Sequence, residues 1–306
     1  MKKQKLLCLL FGALLLALGD LNAASTIDVT NNSGWGANIG WTNWRPDFDA
    51  TNTEGVVVGE FVCSGNVYAA NVGWINLGGG SPVNHIQYQN NSATDFGVNY
   101  SVDPAQPGLG ILRGFAYGAN IGWINFEATG NPRVSLFTGK LSGYAYSANC
   151  GWISLNEFDA GMVQRVVQTD HIAMGADSNG NGIADAWEFL FFGGLLAPGQ
   201  QNNVGPNGMT LLQDYQDGVN PLLANTGLRI TSYSTNASGV SSNVTFTSTT
   251  ARLYTIEINP DLNPLNWVDS GLGMFAPDAG STTSRGLTQV SATKRFFRVK
   301  TMRPLP

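Results

Sequence analysis

The chain has 306 residues, a formal net charge of -5 and 12% charged residues, against a usual share of about 25%. Its 16 Lys and Arg are scattered without a basic run, which leaves no stripe for phosphates and excludes nucleic acid as an expected partner. Abundant Gly, Asn, Ser and Thr predict many turns and short strands, hence a mainly β fold with few helices, in two or three domains.

Lys2, Lys3 and Lys5 precede the apolar run Leu6 to Leu18, and the small residues Ala23, Ala24 and Ser25 follow. That is the layout of a secretory signal peptide, residues 1–24, removed on export. The run falls short of the roughly 18 residues a spanning helix needs, and no later segment is long and apolar enough to span. A secreted protein is expected, extracellular, at the cell surface or in a periplasm, with no membrane span after cleavage. Cys63 and Cys150 then remain. An oxidising compartment permits a disulfide between them, but both stand where sister repeats carry aliphatic residues, which favours two small buried hydrophobes.

Residues 25–158 contain one phrase four times: Trp35-Gly-Ala-Asn-Ile-Gly-Trp41, Tyr68-Ala-Ala-Asn-Val-Gly-Trp74, Tyr117-Gly-Ala-Asn-Ile-Gly-Trp123 and Tyr146-Ser-Ala-Asn-Cys-Gly-Trp152. Copies two to four share an upstream glycine, Gly65, Gly114 and Gly143. Apolar alternation on both sides of the small-Ala-Asn corner predicts an antiparallel hairpin per copy. Asn38, Asn71, Asn120 and Asn149 are expected to take the left-handed turn conformation, and the glycine before each Trp to allow a bulge or close approach. The four Trp residues read either as a sugar-stacking surface or as the large apolar units of a core. Their uneven spacing favours core. The phrase resembles a Gly-x-Ala-Tyr-x-x-Asn-Ile-Gly-Trp-Ile repeat of bacterial secreted and surface proteins, over about Ile27 to Leu155; the resemblance implies a scaffold and names no activity.

Residues 159–225 read as a connector with short helices around a calcium loop. Asp177-Ser-Asn179-Gly-Asn181-Gly182-Ile183-Ala-Asp185-Ala-Trp187-Glu188 matches Asp-x-Asn-x-Asn-Gly-x5-Glu throughout. Asp177, Asn179, Asn181, the Ile183 carbonyl, Asp185 and Glu188 offer the six or more oxygens that Ca2+, a hard cation, takes, and Gly182 allows the sharp turn. With three acids in the set, the expected affinity is on the order of 10⁻⁴ M or somewhat tighter. Ile183, Trp187, Leu190 and Phe191 share a helical face, which puts Glu188 on a short amphipathic helix. The apolar residue stands one position early for an EF-hand and no incoming helix precedes the loop. The stretch from Ala176 to Pro221 resembles thrombospondin type 3 calcium repeats. That resemblance implies a second loop, and Asn203 to Asp214 is its degenerate counterpart: Gly205 and Leu211 replace oxygen donors, leaving Asn203, Asn207 and Asp214 to hold a turn without stable calcium.

From residue 226 to 306 the runs Leu228-Arg-Ile-Thr-Ser, Asn243-Val-Thr-Phe-Thr, Leu253-Tyr-Thr-Ile-Glu-Ile and Arg295-Phe-Phe-Arg-Val-Lys predict an antiparallel β-sandwich, with Trp267 as a core plug. This part resembles the small C-terminal sandwich modules that follow such calcium repeats.

No catalytic motif is present: His85 and His171 stand in no metal spacing and beside no nucleophile phrase, and nothing selects a hydrolytic pair from Asp47, Asp49, Glu54, Glu60, Glu127, Glu157 and Asp159. The expected function is a secreted or cell-surface structural or adhesive protein with a structural calcium site, facing surface glycans or other surface proteins. A carbohydrate-binding module is the alternative, and a glycan hydrolase the third reading. Burial of Trp74, Trp123 and Trp152 counts against the second.

Overall fold

The computed structural model describes residues 24–46, 53–237, 239–288 and 295–305. The leader, Asp47 and Asp49 lie outside these. The fold is mainly β.

Each copy of the repeat is a hairpin. The pairs are β1 (Ile27–Gly36) with β2 (Gly40–Asn43), β3 (Cys63–Ala69) with β4 (Gly73–Gly79), β5 (Leu109–Gly118) with β6 (Gly122–Phe126), and β7 (Tyr144–Ser147) with β8 (Gly151–Ser154). Neighbouring hairpins join edge to edge, β2 to β3, β4 to β5 and β6 to β7, and β8 pairs with β1 to close an eight-stranded antiparallel barrel. Four hairpins in chain order thus form a ring with pseudo-fourfold symmetry.

Strand periodicity decides what fills it. The residues before each first aromatic, Gly34, Val67, Ala116 and Ala145, and after each Trp, Thr42, Ile75, Ile124 and Ile153, are all buried. Eight strands leave a lumen just wide enough for such side chains. In the first hairpin Gly34 makes room for the Trp44 indole, whose Nε1 donates to Thr42 Oγ1 at 3.3 Å. About 20 Å³ of cavity remains among these residues, at most one water's worth, so the barrel interior is a core.

The turns hold the ring shut. Asn38, Asn71, Asn120 and Asn149 each donate from Nδ2 to a carbonyl of the neighbouring turn: to Cys150, Ile39, Val72 and Ile121, at 3.0 to 3.1 Å. The four bonds run round one end of the barrel as a closed circle. The expectation that Asn adopts the left-handed conformation is therefore corrected: Gly40, Gly73, Gly122 and Gly151 take it, at φ 70 to 80°, because a Cβ is strained there, and at Gly40 it would also lie 3.3 Å from the incoming Asn71 amide. Asn120→Ala is expected to cost about 1 kcal/mol for one lost bond, read as a lower denaturant midpoint at unchanged slope. An unaltered midpoint would remove the ring from the stability account.

The upstream glycines have a different reason. Segments that leave the barrel between hairpins cross back over it, and Gly65, Gly114 and Gly143, at φ +86, +112 and +81°, pass under their carbonyls. The next residue donates its N–H to the crossing chain: Asn66 to Glu54, Phe115 to Gly97 and Tyr144 to Gly130, at 2.8 to 3.1 Å.

Cys63 and Cys150 are buried, free thiols, as the aliphatic positions of their sister repeats suggest. Burial pushes the Cys63 thiol up to about 12, which keeps it protonated and unreactive.

The connector carries α1 (Asp185–Phe192) and α2 (Leu211–Asp217), packed through Ile183, Trp187, Leu196, Leu211 and Tyr215. Trp187 and Tyr215 meet edge to face at 5.7 Å. Leu190 departs from the expected apolar face and is half exposed. Thr210 closes α2 with a capping box to Gln213.

Two three-stranded antiparallel sheets form the C-terminal part: β9 (Ile230–Thr235), β10 (Ser241–Thr247) and β13 (Thr282–Thr288) in one, and β11 (Leu253–Asn259), β12 (Val268–Asp269) and β14 (Phe296–Met302) in the other. Val244, Phe246, Tyr254, Ile256 and Leu287 are the core between them. Trp267 is not in it. It is half buried at the surface under the Arg298 guanidinium, 4.4 Å from the ring centre, because it caps the short turn Pro264–Asn266 and precedes β12 rather than standing within a strand of the sheet.

The three parts are tied at one junction. Glu60 of the barrel domain accepts from the Tyr215 hydroxyl and from Arg303, both at 2.7 Å. Arg252 of the sandwich donates to the Tyr215 and Gln216 carbonyls at the end of α2, both at 2.6 Å.

Candidate functional site

The expectation that the repeated Trp residues form a core is overturned. Trp41, Trp74, Trp123 and Trp152 are 40 to 46% exposed and stand on the outer wall of the barrel. Directly across each hairpin, in register, stands the aromatic that opens the phrase: Trp35, Tyr68, Tyr117 or Tyr146. The four pairs have ring centres 4.7, 5.2, 4.9 and 4.9 Å apart and interplanar angles of 58, 66, 62 and 57°. They are near copies of one another, one strand step from the turn, and together form an aromatic girdle around the barrel. The physical cause is volume: Trp44 and Phe126 already take up part of the interior, the lumen positions flanking each pair are small or aliphatic, and the large rings of the alternating pattern are sent outward.

Further aromatics extend the girdle in places. Phe96 packs on Trp123 at 5.1 Å and Phe115 at 6.0 Å, while Tyr144 lies 6.1 Å from Trp152. Two residues beyond each Trp, on the same face, stand Asn43, Asn76, Asn125 and Ser154. The three Asn are half buried, whereas Ser154 is buried with its hydroxyl donating to the Asn156 carbonyl at 2.9 Å, so the uncharged border beside the rings is amide. The phrase Trp-x-Asn in three of four copies is a signal in the sequence that alternation alone did not bring out.

The loop from Asp177 to Glu188 is the second candidate. Asp177 accepts from the Asn181 and Gly182 N–H groups at 3.0 and 2.9 Å, which folds the loop back on its first residue. Gly182 takes φ +83° at the sharp turn. Glu188 is fully buried on α1, and its carboxylate accepts from Asn179 Nδ2 at 3.1 and 3.2 Å and from Asn181 Nδ2 at 2.6 Å. Asp177, Asn179, Asn181 and Glu188 are thus brought into one bonded cluster. The Ile183 side chain is turned into the connector core and its N–H donates to Asn181 Oδ1. Asp185 faces elsewhere, accepting from the Ser178 N–H at 2.8 Å and hydroxyl at 2.5 Å. Among the described residues no three of His, Cys, Asp and Glu gather at one point, so the loop's donor set rests on amides and carbonyls beside its acids.

One observation bears on whether a cation fits this loop. A carboxylate buried without a positive partner is costly, and no Lys, Arg or His pairs with Glu188 among the described residues. Neutral amides are its neighbours. The oxygens of Asp177, Asn179 and Asn181 and of Glu188 itself are the hard donors Ca2+ prefers, in a loop tight enough to gather them.

The loop from Asn203 to Asp214 has the same local design. Gly208 also sits at φ +83°, and Asn207 Nδ2 donates to the fully buried Asp214 at 2.5 Å, as Asn181 does to Glu188. Burial pushes the Asp214 carboxyl above the usual range, which favours its neutral form. Gly205 stands in place of a third side-chain donor, and its Cα packs beside the Pro221 carbonyl.

Other expected sites disperse. Glu60 is held at the junction, Asp159 pairs with Arg165 at 3.0 Å, and His85 stacks on Phe189 at 4.1 Å. A cavity of about 850 Å³ opens between the three parts, lined in part by Trp187, Phe191, Thr249 and Arg252; its Glu60 and Arg252 are already bonded to protein groups. No helix among the described residues is long and apolar enough to cross a membrane. No family model, no curated protein and no solved structure matches this chain.

Proposed function

We propose that the chain is a secreted or cell-surface adhesive protein that grips neutral carbohydrate through the outer aromatic pairs of its barrel, and that calcium at Asp177 to Glu188 braces its connector. The observation that carries the reading is the exposure of four like aromatic pairs. Rings held in water expose apolar π faces. The C–H face of a pyranose covers such a face, while a neighbouring amide such as that of Asn43 bonds its hydroxyls. Trp123→Ala and Trp152→Ala are each expected to weaken binding to a soluble polysaccharide at their own pair by about tenfold, or ~1.4 kcal/mol, measured by affinity electrophoresis in gels of mixed-linkage β-glucan, xylan, galactomannan or dextran. Unretarded migration of the unaltered protein in all four gels would refute the reading.

Calcium would be held by Asp177, Asn179, Asn181, the Ile183 carbonyl and Glu188, with Asp185 steadying the loop through Ser178, and would supply the positive charge that the buried Glu188 lacks. At 1 mM free calcium and a Kd of about 10⁻⁴ M, the gain in stability is about 1.4 kcal/mol. Melts in calcium and in chelator are expected to differ accordingly, and calorimetry to give about one equivalent. Glu188→Gln with Asp177→Ala is expected to erase both signals. Equal melts of the unaltered protein in calcium and chelator, with no heat, would remove calcium from the account.

A further inference from the structure

We infer that the barrel is a cross-linker of polysaccharide chains: it carries four equivalent saccharide sites that face four different directions, so that one molecule holds two or more chains at once. The inference rests on the carbohydrate reading of the girdle and adds to it valence and direction.

Equivalence comes from the pair geometry, since the four centre distances agree within 0.5 Å and the four Trp exposures within 6 percentage points. Phe96 and Phe115 beside Trp123 and Tyr144 beside Trp152 enlarge two of the four sites, while the aromatic pair itself is common to all. Direction comes from closure. The hairpins follow one another round an eight-stranded ring, so each pair is turned a quarter of a circle from the last, and the first and third hairpins face opposite ways. Adjacent hairpins are roughly 10 Å apart along the wall, two strand spacings. A stiff, extended glycan lying on one pair can reach its neighbour at best. It cannot bend round to the far side, so Trp41 and Trp123 engage separate chains. Each contact is weak alone, and a polymer that presents many equal residues gains avidity from the second and third contacts.

The occupant follows from the chemistry of the wall. Asn43, Asn76 and Asn125, half buried and uncharged, border three of the four pairs, which suits a neutral hydroxyl-rich polymer; Ser154, at the fourth, is buried and bonded to Asn156. A lipid surface suits it less. Four of the eight barrel strands are only four or five residues long, against the 9–11 a bilayer-crossing strand needs. The polar band also sits beside the aromatics on the same outer face.

The test uses the full mature chain with mixed-linkage β-glucan, xylan, galactomannan and dextran as probes, reading turbidity across a series of protein-to-polymer ratios. Turbidity that peaks at an intermediate ratio, with more than one oligosaccharide of the same linkage bound per chain in calorimetry, is the expected result. Combining Trp41→Ala, Trp74→Ala and Trp123→Ala leaves one pair: turbidity is expected to fall to that of the polymer alone, and apparent affinity for immobilised polymer to drop roughly 10²-fold while binding persists. The corresponding triple change to Phe keeps aromatic faces and is expected to restore turbidity, which separates loss of sites from loss of fold. Polymer binding with one oligosaccharide per chain and no turbidity overturns cross-linking and leaves the carbohydrate reading standing. Absence of binding to every probe overturns both. Sedimentation with phosphatidylcholine vesicles in place of polysaccharide overturns both in favour of a lipid surface.

Discussion

Gly143→Ala is expected to destabilise the barrel domain by on the order of 3 kcal/mol. At this glycine φ is +81°, and a Cβ would lie 2.3 Å from the Asn131 carbonyl oxygen and 2.7 Å from that of Gly130. Both obstacles are backbone, so no side chain can swing aside. The crossing segment must lift, which also breaks the bond from the Tyr144 N–H to Gly130. A fall in melting temperature of roughly 10 °C is the readout. Gly79→Ala, in the same barrel, is the control: a Cβ there meets nothing within 4 Å, and a change within about 0.5 kcal/mol is expected. If the two variants melt together, the crossing segments do not clamp the barrel.

Arg252→Leu is expected to cost about 3 kcal/mol, felt at the junction. The guanidinium donates from Nε to Gln216 and from one terminal nitrogen to Tyr215, both carbonyls at the end of α2, and from the other terminal nitrogen to its own neighbour Ala251 at 2.9 Å. A positive group is favoured at a helix C-terminus, and leucine would take the charged donor from both carbonyls, leaving that of Tyr215 with the Gly218 N–H alone. Lysine cannot serve both carbonyls with a planar fork, so Arg252→Lys is expected to recover little. Limited proteolysis between residues 219 and 229 reads the effect, with cleavage appearing at temperatures where the unaltered chain is intact. Unchanged protease resistance in the leucine variant would show that the sandwich is seated by other contacts.

Much of the architecture was open to reading in the sequence, and the part that was not has a geometric cause. Alternation in each phrase revealed the hairpins, and the alternating runs of the C-terminal part revealed its strands, because strand periodicity is local. Alternation does not say which face is inside. In Tyr146 to Trp152 both sets of positions are apolar, Ala145 with Ile153 and Tyr146 with Trp152, and the uneven spacing of the Trp residues favoured the second set as the core. Closure reverses this: a lumen shared by eight strands has no room for four indoles, and the knowledge that β8 returns to β1 is nowhere in a single copy of the phrase. The Asn positions were found and their role was not, since each amide serves the neighbouring hairpin, 28 to 48 residues away along the chain for three of them and 112 for Asn38. In the loop from Asp177 to Glu188 the spacing foresaw the cluster of Asp177, Asn179, Asn181 and Glu188. It could not foresee that Ser178 would draw Asp185 away.

Four near-identical hairpins also pose a problem during folding. Any hairpin edge can pair with any other, and a ring closed in the wrong order would satisfy most of the same backbone bonds. The connecting segments differ in length and each must thread back over its own upstream glycine, so a hairpin that docks out of turn drags the wrong segment into a groove it does not fit. Unequal spacing, which in the sequence spoke only against a flat binding face, is then what gives the ring a single order of assembly. A chain rebuilt with equal connectors would be expected to partition among misordered rings, with slower and incomplete recovery from denaturant.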